Sequence, residues 1–179
     1  MCIRYRATPA AFADDPALVW GWYEWRRLKV LGVQPNPAHR AIAALSGRIA
    51  NTRLVTQNVD DLHERAGSRD VLHLHGSLHA PRCATCAAAY RDALPDSVEP
   101  EEGRRIEPPR CPACGGQVRP GVVWFGEALP EAALREAFAA ACECDLLLSV
   151  GTSGVVQPAA RIPGLALEHG ASAVSYTHL

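Results

Sequence analysis

The sequence contains almost no lysine: Lys29 is the only one among 18 basic residues, which we interpret as genome composition rather than function. The formal net charge is only −1, so no overall positive field attracts nucleic acid or anionic lipid. No apolar run approaches the roughly 18 residues that a transmembrane helix needs. The first six residues lack the apolar core of a secretory signal. We therefore expect a cytoplasmic protein without nucleic-acid or membrane partners.

The chain is long enough for one domain with a core and a small insert, since it has 179 residues, of which 48% are hydrophobic. Helical patterns cover 15–31, 36–46, 60–66 and 130–144, and short apolar runs cover 54–56, 71–75 and 145–150. This alternation predicts an α/β fold with a Rossmann-like parallel sheet and helices on both faces. We expect the last strand to be fully buried, and Leu134, Phe138 and Ala141 to form the buried stripe of the preceding helix.

Polar or glycine-containing residues lie at the end of each of the three apolar runs. The segment 57–60 follows the first run, His75 is the last residue of the second, and the turn 151–154 follows the third. Ligands of open α/β sheets bind at the carboxyl ends of strands, and a strand followed by a glycine turn and a helix is typical of nucleotide sites. These segments therefore predict a ligand site, with strand-end capping by Asn and Asp as the structural alternative.

Four cysteines form two CxxC pairs within a segment, about 81–120, that is rich in proline, glycine and charge. The pairs are Cys83 with Cys86 and Cys111 with Cys114. Two such pairs complete a closed, tetrahedral Cys₄ site, which predicts a structural zinc ion, and disulfides are the alternative. Zinc ligation of this kind contributes on the order of 10–16 kcal/mol to folding, enough to stabilise an insert with little core.

Taken together, the motifs resemble the sirtuin family of NAD-dependent protein deacylases over roughly residues 15–174. The matching motifs are the CxxC pairs, TQNVDDLH at 56–63, HLHGS at 73–77, RPGVVWFGE at 119–127 and GTS at 151–153. The resemblance implies a Rossmann-like NAD-binding domain over 1–80 and 121–179, with a zinc-binding insert over 81–120. Sirtuins open with a strand and a glycine-rich loop that have no match here, and the last residues also depart from the family. We therefore expect a sirtuin that is incomplete at both ends.

By resemblance, His75 is the general base, which takes a proton from a ribose hydroxyl after the acyl oxygen of a modified lysine has displaced nicotinamide from NAD. An imidazole with a pKa near 6.5 suits this role at cellular pH. The implied NAD-binding residues are Gln57, Asn58, Val59, Asp60, Gly151, Thr152 and Ser153. The implied substrate-binding residues are Val123, Trp124, Phe125, Gly126 and Glu127, as an extended strand that pairs with an acylated-lysine peptide. Core packing is the alternative for the two aromatic residues.

Tyr23 and Arg26 resemble the Tyr-x-x-Arg signature of sirtuins that remove acidic acyl groups such as succinyl and malonyl. Three residues apart on a helix, a phenol and a guanidinium share one face and can hold a carboxylate. The structural alternative is an ordinary amphipathic helix with a solvated arginine. The resemblance therefore implies a substrate-binding role for both residues and a preference for succinyl- or malonyl-lysine, with acetyl-lysine as the alternative substrate.

Two other functional interpretations remain at this point. The first is a catalytically silent sirtuin fragment that still binds zinc. The second is a zinc-ribbon module that binds nucleic acid or protein without enzyme activity. The charges of the insert are balanced rather than basic, which disfavours nucleic-acid binding.

Overall fold

The computed structural model describes residues 6–94 and 105–176. The predicted domains also include residues 1–5, 95–104 and 177–179, which lie outside the described residues. The helices are α1 Pro9–Asp14, α2 Pro16–Leu31, α3 Pro37–Ser46, α4 Leu62–Arg65, α5 Glu131–Glu143 and α6 Ile162–Glu168, with a 3-10 turn at Ala159–Arg161. The strands are β1 Val55–Thr56, β2 Leu72–His73, β3 Arg82–Cys83, β4 Val118–Arg119, β5 Leu146–Val150 and β6 Ser172–Tyr176. No helix among these residues combines the length and hydrophobicity needed to cross a bilayer.

The strands pair in twos. β1 lies parallel to β2, and β5 lies parallel to β6, while β3 and β4 form an antiparallel pair. The predicted α/β class with parallel strand pairing is therefore confirmed. The described strands form three two-stranded sheets rather than one continuous sheet. β3 and β4 bring residues 82–83 beside 118–119, so the two ends of the cysteine-containing segment lie next to each other.

The starts of α2 and α3 agree with the prediction because both depend on local signals. The Asp15 carboxylate accepts a hydrogen bond from the Leu18 N–H at 3.1 Å, and Asn36 accepts one from the His39 N–H at 3.0 Å. In both cases a proline follows the capping residue, which is the preferred first position of a helix. α1 was not predicted, because its six residues are too few to show a helical period.

The main core joins the first two helices to the segment after β4. Val19, Trp22 and Tyr23 of α2 pack with Phe12 of α1 and with Trp124. The Phe12 and Trp124 rings are 5.4 Å apart, centroid to centroid. A second cluster surrounds Leu74, which is fully buried. Leu78 belongs to the main core and Leu74 to the second cluster, so His75 lies between two buried anchors along the chain.

The expected burial is wrong for β5, and for α5 it is confirmed only at Ala141. Leu146 and Leu148 of β5 are 52% and 43% exposed, because among the described residues only β6 pairs with this strand and only its Leu147 face is packed. In α5 the buried residues are Ala137 and Ala141, whereas Leu134 and Phe138 are only half-buried. Ala141 packs with Ala166 of α6, and Ala137 packs in the cluster around Leu74.

Candidate functional site

The site forms where the segment 75–77 meets the segment 121–123. The Ser77 N–H donates to the Gly121 carbonyl at 3.1 Å, and the Val123 N–H donates to the His75 carbonyl at 2.8 Å. Gly76 has a φ of +73°, and a Cβ at this position would lie 2.1 Å from the Gly121 oxygen. Only glycine permits both this backbone conformation and this approach. The two segments are thereby fixed against each other, and His75 lies at their junction.

One nitrogen of the half-buried His75 ring is held by the backbone. Its Nδ1 lies 2.9 Å from the carbonyl oxygen of Gln57, which follows β1. Since a carbonyl oxygen can only accept, Nδ1 carries the hydrogen in the neutral ring. The lone pair is then on Nε2, the nitrogen that can take a proton from a ligand.

Gln57 also connects the histidine to the glycine-containing turn 151–154. Its side-chain amide donates to the Thr152 hydroxyl at 3.0 Å, although the two residues are separated by 95 positions in the chain. In the same turn Gly151 has a φ of +65°, and its N–H donates to the Tyr176 carbonyl at 2.8 Å. The carboxyl ends of β1 and β5 therefore meet at this site, as the polar segments after them predict. Ser153 lies exposed beside them.

The other residues of the segment 57–60 have different surroundings. The Asp60 carboxylate accepts a hydrogen bond from the Leu62 N–H at 3.1 Å, which forms a local side-chain turn just before α4. Val59 is half-buried against the main core. Asn58 is exposed, and its carbonyl lies 3.3 Å from Nδ1 of His73. The NAD-binding roles of these three residues remain predictions.

The segment 124–127 is a turn, so the expectation of an extended strand is wrong for these residues. The Glu127 N–H donates to the Trp124 carbonyl at 3.0 Å, and Gly126 between them has a φ of +88°. Trp124 is 3% exposed and belongs to the main core, whereas Phe125 is 51% exposed. Core packing therefore accounts for the burial of Trp124, and the peptide-binding role of the exposed Phe125 remains a prediction.

Arg119 holds this turn and was not assigned a role from the sequence. Its guanidinium binds both carboxylate oxygens of Glu127 and lies 3.5 Å from the centre of the Trp124 ring. Burial alone would raise the pKa of Glu127, but hydrogen bonds from Arg119 and from the Trp124 N–H hold it below its usual value. An Arg and a Glu eight positions apart, outside a helix, give no local pairing signal in a sequence.

Tyr23 and Arg26 lie beside each other on α2. The Tyr23 hydroxyl accepts a hydrogen bond from the Trp124 indole N–H at 3.1 Å, and the Arg26 guanidinium lies 5.7 Å from the centre of the Tyr23 ring. Arg27, in contrast, forms a buried ion pair with Glu24 at 3.0 Å. Among the described residues no carboxylate forms an ion pair with Arg26. Arg27 therefore has a structural role, whereas Arg26 is available to a ligand.

The four cysteines of the two CxxC pairs converge at the end of the insert. Their sulfur atoms all lie within 4.8 Å of one another, with 3.5 Å between Cys83 and Cys114 and 3.8 Å between Cys86 and Cys111. A zinc ion with about 2.3 Å bonds to four sulfurs in a tetrahedron places them about 3.8 Å apart. These distances fit a zinc ion and are far longer than the roughly 2 Å of a disulfide.

Without a metal, two cysteines of the same cluster have pKa values that are shifted in opposite directions. Hydrogen bonds from the Cys86 and Thr85 N–H groups lower the pKa of Cys83 to about 6. Although the Gly116 N–H favours the thiolate of Cys114, the neighbouring sulfurs raise the pKa of Cys114 to about 12. Four adjacent thiols cannot all ionise next to one another, and a divalent cation removes that conflict because it binds the thiolate form.

The comparisons with known proteins agree with the geometry. The profile of the Sir2 family matches residues 4–158. The chain is 99% identical over 168 residues to NAD-dependent protein deacylase 1 of Pseudomonas aeruginosa, a match that covers 94% of this chain and 67% of the relative. It is 61% identical over 170 residues to the NAD-dependent protein deacylase of Methylococcus capsulatus, covering 94% of this chain and 66% of that protein.

Solved structures of Sir2 proteins are also similar to this chain. A Sir2 homologue in complex with NAD superposes with a TM-score of 0.85 at 47% identity, over 96% of this chain and 64% of that one. A Sir2–p53 peptide–NAD⁺ complex superposes with a TM-score of 0.78 at 31% identity, over 92% of this chain and 67% of that one. The chain thus spans about two thirds of the length of these proteins. From the matched residues and the shared fold, we conclude that the chain belongs to the Sir2 family.

Proposed function

We propose that this chain carries the catalytic site of an NAD-dependent protein-lysine deacylase, which forms nicotinamide, free lysine and acyl-ADP-ribose. The observation that carries the proposal is the hydrogen bond from His75 Nδ1 to the Gln57 carbonyl, which leaves a basic Nε2 where β1, β2 and β5 end. Two relatives support it by name, as NAD-dependent protein deacylases, and two similar structures support it because they hold NAD.

We assign one role in the reaction to each residue of the site. Bound NAD supplies the electrophilic ribose carbon that the acyl oxygen attacks. His75 Nε2 accepts the proton of a ribose hydroxyl, and the contact with Gln57 keeps the ring oriented for this. Gln57 and Thr152, which are already hydrogen-bonded to each other, hold the two strand ends at a fixed separation. The other residues proposed to contact NAD are Asn58, Val59, Asp60, Gly151 and Ser153.

The proposed substrate is a peptide with an acylated lysine whose acyl group ends in a carboxylate. Phe125 is exposed beside the site, and Val123, Gly126 and Glu127 complete the segment that contacts the peptide. Tyr23 and Arg26 offer an O–H and an N–H fork to the carboxylate of a succinyl or malonyl group. A neutral acetyl group would leave these donors unpaired, which gives the proposed preference a physical basis.

We also propose that the NAD-binding domain comprises 1–80 and 121–179, and that 81–120 is an insert held by zinc. The antiparallel β3–β4 pair at the base of the insert supports this division. A reducing compartment such as the cytoplasm would keep the four thiols free to bind metal.

The test compares kcat/KM for matched succinyl-, malonyl- and acetyl-lysine peptides. It uses this chain and the 99% identical Pseudomonas aeruginosa relative, each as wild type and as Arg26→Met at the matching position. We expect Arg26→Met to lower kcat/KM roughly 10- to 100-fold for the acidic acyl groups, the range for a hydrogen bond to a charge, and to spare acetyl-lysine. Arg135→Met, at an exposed pair with Glu131, is the matched control.

Equal rates on all three peptides, unchanged by Arg26→Met, would contradict the acyl preference. No nicotinamide release from any peptide by either protein would contradict deacylation itself. Turnover by the relative but not by this chain would instead favour the alternative of a zinc-binding chain without activity.

A further inference from the structure

The hydrogen bond between Trp124 and Tyr23 determines what Tyr23 can offer to a ligand. Both side chains are buried, at 3% and 4% exposure, and the indole nitrogen lies 3.1 Å from the phenol oxygen. An indole N–H can only donate, so the phenol oxygen must accept. The hydrogen of the Tyr23 hydroxyl is therefore directed away from Trp124, and among the described residues no other group accepts it.

Trp124 is itself fixed from two sides. Its backbone N–H donates to the Glu127 carboxylate at 2.8 Å, and its ring lies under the Arg119 guanidinium at 3.5 Å. Arg119 is in turn bound to both oxygens of Glu127 and donates to the Val122 carbonyl at 3.0 Å. A ring held in this way has little freedom to rotate, so the direction of its N–H is fixed before any ligand arrives.

Arg26 also lies beside Tyr23. Its guanidinium lies 4.9 Å from the centre of the Trp22 ring and 5.7 Å from the centre of the Tyr23 ring. The Tyr23 O–H and the Arg26 N–H groups are then neighbouring donors, and the described residues supply no carboxylate to pair with them. Two convergent donors match an acceptor-only group such as a carboxylate.

We propose that Trp124 is a specificity-determining positioning residue: its indole N–H occupies the Tyr23 oxygen and so turns the Tyr23 O–H toward the carboxylate of an acidic acyl group beside Arg26. The inference rests on the proposed function and deepens it, since it assigns acyl selectivity to a residue that does not touch the acyl group. Burial raises the pKa of Tyr23, which keeps its hydroxyl protonated and able to donate at neutral pH.

The test is a double-mutant cycle read as the ratio of kcat/KM for succinyl- and acetyl-lysine peptides. It uses this chain and the Pseudomonas aeruginosa relative with the matching substitutions. Trp124→Phe keeps an aromatic ring but removes the N–H, and we expect the succinyl-to-acetyl ratio to fall roughly 3- to 10-fold, mainly through KM. In a Tyr23→Phe background, Trp124→Phe should change the ratio no further. Trp20→Phe, an equally buried tryptophan outside this contact, should leave the ratio unchanged.

Three results would overturn the inference. The first is an equal fall for both peptides in Trp124→Phe, which would indicate a packing role alone. The second is an undiminished effect of Trp124→Phe in the Tyr23→Phe background. The third is a wild-type protein that shows no preference for the succinyl peptide. The third result would also remove the acyl preference proposed above. Failure of deacylation itself is distinct from all three, because no nicotinamide would then be released from either peptide.

Discussion

Nδ1 of His75 lies 2.9 Å from the backbone carbonyl oxygen of Gln57, and this contact decides which nitrogen of the ring is basic. The side chain of the same Gln57 donates to Thr152, so one residue links the histidine to the glycine-containing turn after β5. The backbone of His75 is held independently by Val123. The Gln57 carbonyl thus orients the imidazole, while contacts with Thr152 and Val123 hold Gln57 and the His75 backbone, which positions the ring to act as a general base.

Zinc removal should destabilise the protein strongly. We expect about one zinc ion per chain, and loss of that ion in Cys111→Ser, because only three thiolates remain for a tetrahedral site. The melting temperature should fall in parallel, since structural zinc contributes on the order of 10 kcal/mol or more to folding. Elemental analysis and thermal unfolding measure both effects.

Cys144→Ser is the control for this experiment. The Cys144 thiol lies outside the cluster and donates to the Ala141 carbonyl at 3.4 Å, so zinc content should not change. Full zinc content in Cys111→Ser would argue against the four-cysteine site.

Gly76→Ala should destabilise the protein by at least about 2 kcal/mol. The added Cβ would lie 2.1 Å from the Gly121 oxygen, and the residue would keep a left-handed backbone conformation. Urea unfolding of the variant measures the loss. Gly164→Ala in α6, where a Cβ meets nothing within 4 Å, is the matched control and should be neutral or stabilising. Equal stability of the two variants would show that the segments 75–77 and 121–123 do not approach as described.

The ion pair between Arg119 and Glu127 should make stability depend on acid pH. The pKa of Glu127 is lowered in the folded state, so the contribution is present above the unfolded pKa of about 4.3 and is lost as pH falls through the folded value. Glu127→Gln should therefore lower the free energy of unfolding by roughly 1–2 kcal/mol at pH 7 and by progressively less below pH 4, since the pair is partly exposed.

Glu131→Gln removes an exposed carboxylate that pairs with Arg135, and it should change stability by less than about 1 kcal/mol at any pH. Denaturant unfolding of the three proteins across this pH range makes the comparison. A pH-independent difference between Glu127→Gln and wild type would mean that the charge of Glu127 is not what holds the turn.

The sequence correctly predicted the features of this structure that depend on nearby residues. Asp15 and Asn36, each followed by proline, marked the starts of α2 and α3, and the CxxC spacing predicted that four sulfur atoms would converge. The strand ends that carry Gln57 and Thr152 were also expected to meet. In each case the signal lies within a few residues or follows from parallel strand pairing.

Contacts between distant residues were not predictable in the same way. The hydrogen bond from Trp124 to Tyr23 joins residues 101 positions apart, and the Arg119–Glu127 pair sits in a turn without periodic structure. The exposure of Leu146 and Leu148 depends on which other elements cover β5, so an apolar run alone could not decide it.

The most direct test of the central claim is the steady-state rate at which lysine is deacylated by the His75→Ala variant, measured with NAD and a succinyl-lysine peptide. The assay uses this chain and the Pseudomonas aeruginosa relative with the matching substitution, and His169→Ala, an exposed histidine in the residues after α6, is the control. We predict a loss of roughly 10²- to 10⁴-fold in kcat for His75→Ala, with zinc content and thermal stability close to wild type, and no loss for the control. An unchanged rate of deacylation in His75→Ala would contradict the assignment of His75 as the general base.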